Sequence, residues 1–109
     1  MNIIEITKIY FKSFSDKNII KLTDLYDDDV ILKDWDINIK GKKNVIKANE
    51  NLFNSVKSIN IFIKNIYNDK LVVISEINII INDNTKLNVV DIIKFNNNFK
   101  IIEIIAYKS

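Results

Sequence analysis

Residues 91–107 read DIIKFNNNFKIIEIIAY. Two segments rich in isoleucine and aromatic residues flank Asn96, Asn97 and Asn98, a triplet suited to a tight turn. The stretch therefore predicts an antiparallel hairpin, with strands over about 86–96 and 99–107. The same pattern continues upstream over about 57–67 and 70–82, with NDK and NDNT between the runs. Four successive strands joined by short turns give an antiparallel meander.

Before residue 56 the period changes from two to that of a helix. Over residues 3–14, Ile3, Ile6, Tyr10 and Phe14 share one face, and Glu5, Lys8 and Lys12 share the other. Ser15 or Asp16 is placed to cap a second helix, KNIIKLTDLY, that ends near Tyr26. DDDVILKD then reads as a short strand. Gly41 precedes a third helix over about 42–55, with Val45, Ile46, Asn49, Leu52 and Phe53 in one stripe. The expected fold class is α+β, with three N-terminal helices packed on a curved, mainly antiparallel β-sheet, as one domain over residues 1–109.

The last strand looks apolar on both sides. Phe99, Ile101, Ile105 and Tyr107 fall on one face, and Ile102, Ile104 and Ala106 on the other. Three helices cover only one face of a sheet. The outer face is therefore expected to form a homodimer interface.

The residue types that are missing narrow the chemistry. The chain has no Cys, His or Pro, a single glycine, Gly41, and only lysine as its basic residue. Thiol nucleophiles, histidine bases, cysteine or histidine metal sites, bidentate guanidinium grips and glycine-rich phosphate loops are thus excluded. No metal or cofactor is expected. A net charge of +2 with scattered lysines does not make a nucleic-acid surface. Apolar runs of a few residues fall far short of the ~20 needed to span a bilayer. The N-terminal MNIIEITKIYFK lacks the pattern of a signal peptide, so the expected compartment is the cytoplasm.

Against that background three polar residues stand out. Asp91 shares a strand face with Leu87, Val89, Ile93 and Phe95. Burying an unpaired carboxylate costs several kcal/mol or forces it to hold a proton. Asp34 continues the Val30–Leu32 face of the first strand, and Tyr10 lies mid-stripe on the first helix. Each has an ordinary structural explanation: a turn residue, a rim tyrosine, a helix-end acceptor. Together they point from different elements toward the space between helices and sheet, as in a ligand pocket.

At these residues the sequence resembles the nuclear transport factor 2-like superfamily, in particular its SnoaL-like and ketosteroid isomerase-like members. LYDDDVILKD, the GKKNVI that starts at Gly41, and DIIKFNNNFKIIEIIAY carry the resemblance, which spans nearly the whole chain. It implies a cone-like α+β barrel. It also implies roles: Tyr10 as oxyanion-hole tyrosine, Asp34 as general base, and Asp91 as the buried acid that stays protonated.

The resemblance places Tyr26 and Asn49 as supporting residues, Asn49 standing where the isomerases have a tyrosine. It places Trp35, Phe53, Ile104 and Lys108 around the pocket. Trp35 follows the base in place of a proline, Asp36 adds a second carboxylate, and Lys108 replaces an aromatic residue at the mouth. The implied ligand is a small apolar or aromatic carbonyl compound, smaller than a steroid or flat against Trp35. The implied reaction is a cofactor-independent proton transfer of isomerase or cyclase type. The alternative is a non-catalytic ligand-binding or dimerisation module of the same fold. An Arg-and-two-Asp hydrolase site and a His-dependent dehydratase site are excluded by composition.

Overall fold

The computed structural model describes residues 2–109. Asn2 caps the first helix, α1 (Ile3–Ser15), by accepting the Glu5 N–H at 2.9 Å. Ile3, Ile6 and Tyr10 are buried along its inner face, as the stripe predicts; Phe14 is half-buried, and Phe11, outside the stripe, is buried as well.

The second helix starts later and ends sooner than expected. Lys17 carries the chain through the left-handed region at φ 54°, which stops α1. Asn18, not Ser15 or Asp16, caps α2 (Ile19–Leu25) by accepting the Lys21 N–H at 3.0 Å. Ser15 instead accepts the Ile61 N–H at 2.9 Å. Tyr26 leaves the helix and opens β1 (Tyr26–Lys33), where it pairs with Ile101. A fully buried ladder position outweighs the weak helix preference of a tyrosine at a helix end.

A short strand, β2 (Asn38–Lys40), was not legible in the sequence; it pairs antiparallel with Ile31–Lys33. The intervening turn is built by Asp34, whose Oδ1 accepts the N–H groups of Asp36 (2.7 Å) and Ile37 (2.9 Å). Gly41 then adopts φ 97°, a conformation that favours glycine, and leads into α3 (Lys42–Ser55). Val45, Asn49 and Phe53, four residues apart, are the buried stripe of α3.

The C-terminus of α3 is closed by a residue far away in sequence. The Lys17 ammonium donates to the carbonyls of Phe53 (2.9 Å), Val56 (2.7 Å) and Lys57 (3.2 Å). A cation there satisfies carbonyls that the helix leaves unpaired. Lys17→Met is expected to cost about 1–2 kcal/mol. A thermal melt should show Tm lower by roughly 5–10 °C; an unchanged Tm would refute this capping role.

The meander follows as β3 (Ile59–Asp69), β4 (Val72–Ile81), β5 (Thr85–Phe95) and β6 (Ile101–Lys108). The sheet order is β2-β1-β6-β5-β4-β3, antiparallel throughout except for β1 beside β6. Its edges, β2 and β3, do not pair with each other, so the cone-like sheet stays open. The helices cover one face, with α1 on β3 and β4 and α3 on β1.

The expected faces of β6 need one correction. Phe99 belongs to the turn, at φ 61°. Lys94 pairs with Glu103 and Phe95 with Ile101, so Ile102 is an extra residue that shifts the alternation. Ile101, Ile104 and Ala106 consequently face inward, while Ile105 and Tyr107 face out. On the outer side Tyr67, Ile74, Ile92 and Ile105 form one cross-strand row.

Candidate active site

Between α1, α3 and the inner face of the sheet lies a cavity of about 380 Å³. Tyr10, Asp34 and Asp91 all line it, together with Asn49 and Ile104. Most of the remaining wall is aliphatic, including Ile59, Ile77, Val89 and Leu32. The period-two isoleucines of β3 and β4 thus build the chamber, a role their sequence pattern alone does not distinguish from core.

Asp91 enters from the middle of β5. Its face neighbours Val89 and Ile93 are buried, and Asp91 itself is 7 % exposed. Burial first, and then the charge of Asp34, push its carboxyl up to about 7. An apolar strand face raises the cost of ionisation because it removes water without supplying a cation. Ser75 stands opposite Asp91 on β4, fully buried, with no hydrogen-bond partner for its Oγ. Sequence reading missed it, although a serine between Val73 and Ile77 on an inward face is the signal.

Tyr10 enters from α1. Its hydroxyl is raised well above the ordinary tyrosine range by burial, with smaller effects from Tyr26 and Asp91. The ring of Tyr26 packs beside that of Tyr10, 6.4 Å centre to centre, which brings the two hydroxyls into one environment. Tyr26 in turn donates to Asn49 Oδ1 at 2.7 Å. Tyr26 does not line the cavity; it holds Tyr10 from behind, and its own hydroxyl is likewise raised by burial. Phe53 also stands behind the wall, edge-on to the lining ring of Phe14 at 4.9 Å.

Asp34 sits at the end of β1 on the turn it organises, and is half-buried. Both backbone donors use its Oδ1, so Oδ2 takes neither of these bonds. Asp36, the extra carboxylate, lines the same cavity from its exposed end. Trp35 and Lys108 do not line it. They pair with each other at the rim, Lys108 Nζ lying 4.9 Å from the centre of the Trp35 ring, which is 40 % exposed.

No protein-family model matches the sequence, and no curated protein matches it. Solved structures do. A protein of unknown function from Cytophaga hutchinsonii, described as NTF2-like, superposes with TM-score 0.86 at 8% identity. The match covers 100% of this chain and 91% of that one. The chain has the NTF2-like fold. A SnoaL-like protein of unknown function from Burkholderia thailandensis matches with TM-score 0.83 and 9% identity, over 98% of this chain and 93% of that one. An LEH-like epoxide hydrolase from M. tuberculosis matches with TM-score 0.87 and 13% identity, over 98% and 82%. At such identity the likeness is one of fold, and function has to be argued from the NTF2-like cavity itself.

Within this NTF2-like cavity the polar groups are few and differ in character. Asp34 is at a strand end beside an exposed loop; Asp91 and Tyr10 are enclosed. An enclosed acid that holds its proton can serve as a neutral hydrogen-bond donor.

Proposed function

We propose that the protein is a small-molecule enzyme of isomerase or cyclase type that moves a proton next to a carbonyl. The observation that carries this reading is the meeting of Asp34, Tyr10 and a carboxyl pushed up to about 7, Asp91, in one largely aliphatic cavity. Asp34 Oδ2 takes the proton from the carbon beside the carbonyl. The electron pair moves onto the carbonyl oxygen, which receives hydrogen bonds from Tyr10 and protonated Asp91. Where the substrate is a β,γ-unsaturated carbonyl compound the product of this step is a dienolate, and return of the proton from Asp34 to its far (γ) carbon moves the double bond into conjugation and restores the base. The ligand expected is a small apolar or aromatic carbonyl compound.

The test is catalysed α-proton exchange of a small ketone in D₂O, followed by NMR, and its loss in Asp34→Asn. Exchange no faster than buffer across a panel of ketones would reject the enzyme reading. One observation favours the non-catalytic alternative, a ligand-binding module. Tyr26 donates to Asn49 Oδ1, which leaves its oxygen to accept from the neighbouring Tyr10 and would engage the Tyr10 proton within the wall. Catalysis requires that proton to turn to the ligand. Rotating the Asn49 amide so that Nδ2 donates to Tyr26 would reverse the chain and free it.

The outer face of the sheet is proposed as a homodimer interface. Tyr67, Ile74, Ile92 and Ile105 run across it, and Tyr67 and Tyr107 are 54% and 60% exposed. Sedimentation at micromolar concentration should give twice the 12.8 kDa protomer mass. Ile92→Lys should return the 12.8 kDa species. A wild-type protein that already sediments as a monomer would overturn the proposal.

A further inference from the structure

The cavity carries a charge pattern that proton transfer does not need. Among the described residues three carboxyl groups line it, Asp34, Asp36 and Asp91, and no lysine does. Asp36 is at the exposed end, and its carboxylate enters none of the ion pairs among the described residues. Its backbone is held in place, since its N–H donates to Asp34 Oδ1 at 2.7 Å. The ammonium available at this rim, Lys108, lies over the Trp35 ring and pairs with neither carboxylate. At the enclosed end Asp91 is 7 % exposed and lines the cavity, and its carboxyl makes no hydrogen bond among the described residues.

The geometry points to a ligand with two ends: a carbonyl at the Tyr10–Asp91 end and a cationic group, such as a protonated amine, at Asp36. The carbonyl end rests on the proton-transfer reading; the cationic end is added by Asp36. A carboxylate or phosphate ligand would enter an acidic chamber with no countercharge and lose hydration without a compensating partner. A cation near Asp36 keeps part of its water and gains an attraction that salt weakens. Asp36 is thus a specificity residue: it acts on the ligand's tail and not on the reacting atoms.

Three probes separate the two ends. 2-Naphthol, 6-(aminomethyl)-2-naphthol and 6-hydroxy-2-naphthoate offer the same phenol with a neutral, a cationic and an anionic tail. Their affinities are read by fluorescence titration at low and high salt. The cationic probe is expected to bind about threefold to fivefold more tightly than the neutral one at low salt, the gain of a rim ion pair. The anionic probe is expected to be the weakest, and the differences should shrink at high salt. Asp36→Asn should bring the cationic probe level with the neutral one.

Equal affinities, tightest binding of the anion, or a cation preference that survives Asp36→Asn would each overturn the assignment. The neutral probe keeps this failure distinct from that of the proton-transfer reading. If 2-naphthol binds and Tyr10→Phe weakens it, with no charge preference, only the cationic end falls. If 2-naphthol does not bind, or binds regardless of Tyr10→Phe, the carbonyl end falls and the assignment with it.

Discussion

Asp34→Asn is expected to slow isomerisation of a small β,γ-unsaturated ketone by about 10²–10⁴-fold, the usual contribution of a positioned general base. The substitution is informative because its structural cost is small. Asn keeps an Oδ1 that can accept the Asp36 and Ile37 N–H groups, so the turn between β1 and β2 should survive. The loss should therefore appear in kcat with Tm nearly unchanged. Removing the Asp34 charge also removes the second cause of the raised Asp91 carboxyl, leaving burial as the first. An Asp34→Asn protein that turns over at the wild-type rate would reject Asp34 as base. Loss of rate in Asp36→Asn instead would transfer that role to the other carboxylate.

The second large effect is on stability and its dependence on pH. The Asp91 carboxyl moves from 3.8 to about 7 on folding. Between these values the folded chain holds a proton that the unfolded chain has released. Stability should thus fall as pH rises from about 4 through about 7, and level off above. The total loss is about 4 kcal/mol, since each pKa unit is worth about 1.4 kcal/mol. Asp91→Asn removes the ionisable group and keeps the shape, so its stability should lose this slope. Urea titrations above neutral pH should find the variant more stable than wild type, and the order should narrow in acid. In the enzyme reading, wild-type turnover should decline above pH about 7, where Asp91 ceases to be a donor. A wild-type stability curve that stays flat from acid to neutral pH would show that Asp91 ionises as an ordinary carboxyl.

Much of the fold was legible because most elements are amphipathic with a regular period. The Ile3–Ile6–Tyr10 stripe located α1, and alternation in 57–107 located four strands with only small shifts of their ends. The misreadings share a cause. β2 is three residues long, too short to show a period. The start of α2 depended on whether Asn18 or Ser15 would cap it, and Ser15 is drawn off by Ile61 of β3. Tyr26 became a strand residue through its pairing with Ile101. The extra residue in β6 is visible only against its partner β5. In each case contact with another element, near or remote in sequence, decided the local choice.

The candidate site divides along the same line. By itself the sequence determined which chemistry is available: carboxylates, tyrosines and amides, without thiol, imidazole or guanidinium. It also marked Asp91 as an acid among apolar neighbours on its strand. Whether such an acid is buried, and what it faces, depends on the elements packed over the strand. Only the tertiary structure set Asp91 in a chamber shared with Tyr10 and Asp34, and placed Trp35 and Lys108 outside it. Only it revealed Ser75 across the ladder and Asp36 at the entrance. The physical reason is that desolvation and Coulomb interaction depend on distance in space, and side-chain period along one strand fixes only a direction.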